Sequence, residues 1–259
     1  MIETPRLRRY SIAVLVAISI SIILSIFFDS DSTGMILRGD FPAFYAAGKI
    51  VLNGQWDRLY DLTLQRSIEN EGWPSLGGTY LAFAYPPSFA ILTFPFGLLA
   101  PSTAKLVWTA ISVLIFYLSL KKGLTFVPIK EAKVTAFIFA LSCLFAPCLM
   151  GVLGGQTLAL ALFCYVKIGC LLVSSRENET SDRSIKIFKA GVWCGVLALK
   201  PHLAIIPFIW CSFVFGLPFA LGVFSVLFVI HVFVICLWGF SPFVSWAQAV
   251  NLFFQMDNA

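Results

Sequence analysis

Residues 218 to 238 read PFALGVFSVLFVIHVFVICLW, a run without a single Asp, Glu, Lys or Arg. A helix rises about 1.5 Å per residue, so roughly 20 apolar residues cross a hydrocarbon core of about 30 Å. This run meets that length. Outward from it, further apolar runs at 11 to 28, 103 to 120, 133 to 151 and 157 to 174 qualify as spans. The stretch from Lys189 to Gly216 is also apolar but is interrupted by Lys200-Pro201-His202. A mid-stretch Pro breaks or kinks a helix, so two short helices are expected there, at 188 to 201 and 203 to 216.

Composition points the same way. Of 259 residues, 59% are hydrophobic and only 12% charged, and the mean hydropathy is +0.89, far from the values of soluble domains. The expected fold class is all-α: a polytopic transmembrane helical bundle forming one membrane domain over residues 1 to 259, with amphipathic juxtamembrane helices in its first outer loop. The net charge of +5 does not indicate a nucleic-acid partner, because the Lys and Arg residues cluster at the ends of apolar runs, the pattern of cytoplasmic membrane loops. All seven cysteines lie inside apolar segments without C-x-x-C pairing and read as small buried hydrophobes.

The same clusters set the orientation. Arg6, Arg8 and Arg9 precede the first span, Lys121, Lys122, Lys130 and Lys133 flank one connection, and Arg176, Arg183, Lys186 and Lys189 populate another. Positive residues stay inside, so the N-terminus is expected in the cytoplasm of a bacterial-type cell and the loop 29 to 102 outside the plasma membrane. No small-x-small cleavage pattern follows the first span, so it reads as an uncleaved anchor. The sequon Asn178-Glu179-Thr180 falls on the cytoplasmic side and is a chance match. Residues 86 to 100 are apolar but carry Pro86, Pro87 and Pro95; a re-entrant or interface-lying helix suits them better than a span.

The outer loop holds most of the acidic residues. Two amphipathic helices are expected in it, over 41 to 52 and 59 to 68, of the type that lies flat on a membrane surface. Asp40 in Gly39-Asp40-Phe41-Pro42 has two readings: a helix N-cap ahead of a first-turn Pro, or a carboxylate held at the surface as a general base. Tyr85-Pro86-Pro87 stiffens the entry to the next helix. Gly154-Gly155-Gln156 is a tight turn, or an amide offered to a polar ligand. Lys200 is more telling, since a cation within an apolar stretch is costly and by default functional; snorkelling is the alternative. At the outer end of its helix its ammonium would neutralise a phosphate, with His202 as a nearby donor. Lys167 and His231 have no such setting and read as packing or interface positions.

In order along the chain, Gly39-Asp40-Phe41, Tyr45-Ala46-Ala47-Gly48, Gly54, Leu59-Tyr60-Asp61, Tyr85-Pro86-Pro87, Pro95, Trp108, Gly155-Gln156, Gly191, Gly195 and Lys200-Pro201 resemble glycosyltransferase family 87. This is a group of GT-C membrane enzymes that includes polyprenol-phosphate-mannose-dependent mannosyltransferases. The resemblance implies a hexosyltransferase that moves a hexose, mannose above all, from a polyprenyl-phosphate donor to a lipid or glycan acceptor outside the membrane. It implies inversion at the anomeric carbon, with Asp40 matching the acidic first-loop base of GT-C enzymes. Tyr45, Tyr85, Gln156, Lys200 and His202 are the candidate substrate-binding residues.

The lipid-linked sugar serves as substrate, and neither a cofactor nor a metal is expected, because no residues have clean metal-ligand spacing. Members of this family carry more helices than the spans counted here. The resemblance therefore implies a C-terminally short chain: a truncated product or fragment, a shortened member whose missing helices a second subunit would supply, or an inactive remnant. A transporter or flippase of lipid-linked sugars is the reading from another class, and it would require internal repeats or paired broken helices, which the sequence does not have.

Overall fold

The computed structural model describes residues 39–124, 138, 146–177 and 180–256. The expected span at 11 to 28, most of that at 133 to 151, and the first two residues of the sequon lie outside the described residues. Among the described residues every regular element is helical: α1 (Phe41–Leu52), α2 (Leu62–Gly72), α3 (Pro101–Gly123), α4 (Ala146–Leu153), α5 (Leu158–Ser174), α6 (Thr180–Leu197), α7 (Pro201–Phe215), α8 (Leu217–Trp238) and α9 (Ser241–Met256), with short 3-10 turns between several of them. Two of these, α3 and α8, are long and apolar enough to cross a membrane. The chain divides into two compact units, Met1–Phe41 with Lys105–Phe163, and Pro42–Ala104 with Cys164–Ala259.

In the first unit α3 packs through Phe116 onto Ala159 at the start of α5, with Val113, Tyr117, Leu120, Cys148 and Leu162 around them. Between α4 and α5 the chain turns at Gly155, whose φ of 73° lies in the left-handed region that a side chain disfavours.

The second unit is built on a seam between α6 and α8. Gly191 and Gly195 of α6 stand four residues apart and face Phe219, Gly222, Val223 and Val226 of α8. A Cβ on Gly191 would overlap the Phe219 carbonyl, and one on Gly222 would overlap that of Phe188. Small residues at this spacing let helix backbones approach closely, which is how helices associate where lipid removes the hydrophobic drive between them. Helix α7 and the rest of α8 expose strongly apolar surface, with Phe213 at 88% and Ile206 at 78% on α7 and Phe228 at 70% on α8. So large an apolar surface is stable only against lipid or another protein.

Two helix starts and one whole element differ from the expectations. Helix α6 starts at Thr180 rather than 188, because Asp182 and Lys186, paired at 3.0 Å one turn apart, carry the helix into the polar connection. Helix α2 covers Leu62–Gly72 rather than 59 to 68: the Asp61 carboxylate accepts from the amides of Thr63 and Leu64, which fixes the start at Leu62. Helix α9 was not among the expected elements.

The stretch after Tyr85 is a chain of short pieces, a 3-10 turn Pro87–Phe89, one α-turn Ala90–Thr93 and a second 3-10 turn Phe94–Leu98 around Pro95. Pro95 lacks the amide that a continuous helix needs. Helix α1 is tied to this stretch by the Lys49 ammonium, which donates to the Gly97 carbonyl at 3.1 Å, and by the Tyr45 hydroxyl, which donates to that of Leu99 at 3.1 Å.

Candidate functional site

In the first unit Asp40 sits half-buried in the turn that leads into α1. The Gly39 backbone, at φ 44°, crosses so closely over Gly154 that a Cβ there would overlap the Gly154 carbonyl oxygen. That oxygen accepts the Phe41 amide at 3.4 Å. A Cβ on Gly155 would overlap the Phe41 side chain, and the buried Phe41 ring is tilted against Trp108 at 5.8 Å. Two glycine motifs more than a hundred residues apart therefore meet, and Asp40 and Gln156 each follow one of them. Gln156 is exposed, and its backbone N–H donates to the Gly151 carbonyl at 2.8 Å.

In the second unit the structure brings Tyr85 and Lys200 together. Lys200 stands at the break between α6 and α7, where Pro201 opens the next helix, and its Nζ lies 5.2 Å from the centre of the Tyr85 ring. Such a cation over an aromatic face is worth about 0.5–1 kcal/mol at an exposed position and more when desolvated. The ring is held on two other sides, stacked on Phe89 at 4.4 Å and edge-on to Phe44 at 5.1 Å. His202 is exposed in the first turn of α7. Tyr45 is buried, edge-on to Trp73 at 5.3 Å, and its hydroxyl is committed to Leu99.

The backbone beneath Tyr85 is fixed by groups that the sequence reading passed over. Gln65 and Glu69, one turn apart on α2, are both fully buried. Gln65 accepts the Phe83 amide at 3.0 Å and donates to the Leu59 carbonyl at 2.6 Å. Glu69 accepts the Leu81 amide at 2.9 Å, and Asn70 accepts that of Gly78 at 2.7 Å. Beyond this clasp the Trp246 indole donates to the Ala84 carbonyl at 3.1 Å, and the Tyr60 hydroxyl to that of Tyr85 at 2.7 Å. Five side chains thus pin residues 78 to 85. The sequence signal for the clasp is a Gln and a Glu four residues apart, which reads equally well as a solvated helix face.

The sequence matches the profile of glycosyltransferase family 87 over residues 83–258. The chain belongs to that family. No curated protein and no solved structure matches it. The matched region takes in Tyr85, Gln156, Lys200, His202 and Trp246, while Asp40, Tyr45 and the α2 clasp precede it. Family membership makes this chain one of a family of glycosyltransferases, and with its two spanning-length helices it is a membrane protein.

A glycosyltransferase of this kind must present polar groups from a largely apolar frame, and burial has changed several of them. Burial pushes the Tyr60 phenol up, and burial with the nearby Glu71 carboxylate does the same to Tyr45; both stay neutral donors. The Arg58 guanidinium, at 2.6 Å, holds the Asp61 carboxyl below its ordinary range. Burial raises Glu69 from 4.5 to about 7, although the Leu81 amide opposes the rise. Among the described residues no group of three or more His, Cys, Asp or Glu side chains converges as a metal site would require.

Glu69 gives the clasp a pH dependence with a definite sign. Its folded pKa lies above its unfolded one, so the folded protein holds the extra proton and stability falls as pH rises. The contribution is complete below about pH 4.5 and is lost as pH passes about 7. Amide-exchange protection at Leu81 and Phe83, corrected for the intrinsic rate, is expected to fall over that window. Glu69→Gln keeps the acceptor for Leu81 without a titrating proton and should flatten the profile. An equally steep profile in the variant would remove Glu69 as its cause.

Proposed function

We propose that this chain is an inverting GT-C hexosyltransferase of the plasma membrane that moves a hexose, mannose first among candidates, from a polyprenyl phosphate to a lipid or glycan acceptor on the extracytoplasmic face. The observation that carries this reading is the Lys200 ammonium over the Tyr85 ring at the break between two apolar helices. A polyprenyl-phosphate sugar already has a good leaving group. The enzyme needs a base for the acceptor hydroxyl and positive charge for the departing phosphate.

In this proposal Asp40 takes the proton of the acceptor hydroxyl, whose oxygen attacks the anomeric carbon from the face opposite the phosphate. The carbon–oxygen bond to phosphate breaks, and its electron pair leaves with the phosphate, which Lys200 and His202 receive. Configuration inverts in the single displacement, and no second nucleophilic carboxylate is required. Tyr85 positions Lys200, Gln156 offers its amide to a sugar hydroxyl, and Tyr45 supports the loop that carries the site.

The chain path in the second unit supports a multi-pass arrangement. Lys200 lies beside Tyr85, and Trp246 is bonded to the adjacent Ala84. Between them the chain leaves through α7 and returns through α8, so both ends of this hairpin belong with the loop. With the Lys- and Arg-rich start of α6 inside, that loop is outside.

Reconstituted in liposomes, the chain is expected to transfer hexose from polyprenyl-phosphate mannose to a glycan acceptor, giving the anomer opposite to that of the donor. Transfer from a soluble nucleotide sugar instead, or a product of retained configuration, would overturn the proposal.

A further inference from the structure

A groove of about 420 Å³ opens between the turn that precedes α2 and the face of α9, lined by Asp57, Arg58, Tyr60, Asp61, Ser245 and Gln248. This volume is at the lower end of the roughly 300–1,000 Å³ usual for small-molecule sites. Its two walls are anchored on neighbouring residues: Tyr60 on one side bonds the Tyr85 carbonyl, and Trp246 on the other bonds that of Ala84. The groove therefore adjoins the segment that presents Tyr85 to Lys200.

Its chemistry is specific. On α9, Ser245 and Gln248 stand three residues apart on one stripe, which sets a hydroxyl and an amide side by side. Opposite them are the exposed Asp57 carboxylate and the Arg58–Asp61 pair, closed at 2.6 Å. Two carboxylates and one guanidinium leave the lining with a net negative charge. That charge disfavours a phosphate or another anion, a polyanionic lipid headgroup included. A cluster of uncharged hydroxyls fits instead, because Asp, Gln and Ser side chains accept and donate at spacings that neighbouring hydroxyls share, beside the buried ring of Tyr60.

We propose that this groove between the α2 turn and α9 is the acceptor subsite, and that it takes the uncharged, non-reducing end of a glycan. The proposal rests on the transferase reading above and adds the substrate class and the residues that select it. Asp57 and Gln248 hold acceptor hydroxyls, and Tyr60 links the groove to Tyr85.

The test uses the full chain in lipid nanodiscs and measures binding of methyl α-mannoside, methyl α-glucoside and the anionic methyl glucuronide by saturation-transfer NMR. Neutral glycosides are expected to bind and the glucuronide not to. Asp57→Ala and Gln248→Ala, both at exposed positions, should each weaken neutral glycosides about tenfold, the scale of one hydrogen bond to a charged or well-placed polar group. Ala249→Trp, which fills the groove from α9, should abolish binding. Equal binding in all three variants, no glycoside binding by the wild type, or glucuronide bound as tightly as the neutral sugars would each overturn the acceptor groove. Hexose transfer measured on the same preparation separates the two readings. Transfer without glycoside binding sinks the groove alone, and glycoside binding without transfer from any polyprenyl phosphate sinks the transferase reading.

Discussion

Replacing Asp40 by Asn is expected to lower the rate of hexose transfer by about 10²–10⁴-fold, the range supplied by a positioned general base, while leaving membrane insertion and donor binding unchanged. The substitution preserves shape, replaces one carboxylate oxygen by an amide group, and removes the negative charge and with it the ability to take a proton. The backbone on either side of residue 40 is held by the Gly39 crossing over Gly154 and by the Phe41 amide bonded to the Gly154 carbonyl at 3.4 Å. Both are backbone contacts, which the Asn variant retains. The measurement is kcat with saturating donor and acceptor, accompanied by donor affinity on the same preparation. If Asp40→Asn transferred hexose at the wild-type rate, the base would have to be another group. If kcat held and only KM rose, Asp40 would bind substrate without taking its proton.

Lys200→Ala is expected to cost about 10²–10³-fold in kcat, the loss seen when one preorganised donor to a developing anion is removed. The charge on the leaving phosphate grows as its bond to the sugar breaks, so the ammonium contributes more in the transition state than in the ground state. Lys200→Arg restores the charge and should recover part of the rate. It should not recover all of it, because a planar guanidinium over the Tyr85 ring presents its donors in a different direction from a point-like ammonium. Tyr85→Leu removes the ring on which Nζ rests at 5.2 Å and should produce a smaller loss. A Lys200→Met enzyme as active as the Lys200→Ala one is expected; a fully active Lys200→Met enzyme would show that the charge has no part in transfer.

The candidate residues divide by how local their signals are. Lys200 could be named from sequence because a cation inside an apolar stretch is costly wherever the chain goes, and Pro201 marks the break beside it. Asp40 and Gln156 each follow a glycine motif that is visible in the sequence. The contact between those two motifs is not visible, because it depends on how α4 and α5 bring Gly154 under Gly39. Gln65 and Glu69 were missed for a related reason: on α2 alone they form an ordinary polar pair, and only the arrival of residues 81 to 83 buries them.

The apolar lengths of α3 and α8 and the Pro-broken stretch after Tyr85 were determined by the sequence itself, since length and a missing amide act within a few residues. Tertiary structure decided which polar groups share a site: it set Lys200 over Tyr85, closed α9 against the turn before α2, and turned a polar helix face into a buried clasp. The reason is physical. A buried polar side chain must find a hydrogen-bond partner, and for Gln65, Glu69, Tyr60 and Trp246 that partner is a backbone group distant in the chain, which no local pattern of residues specifies.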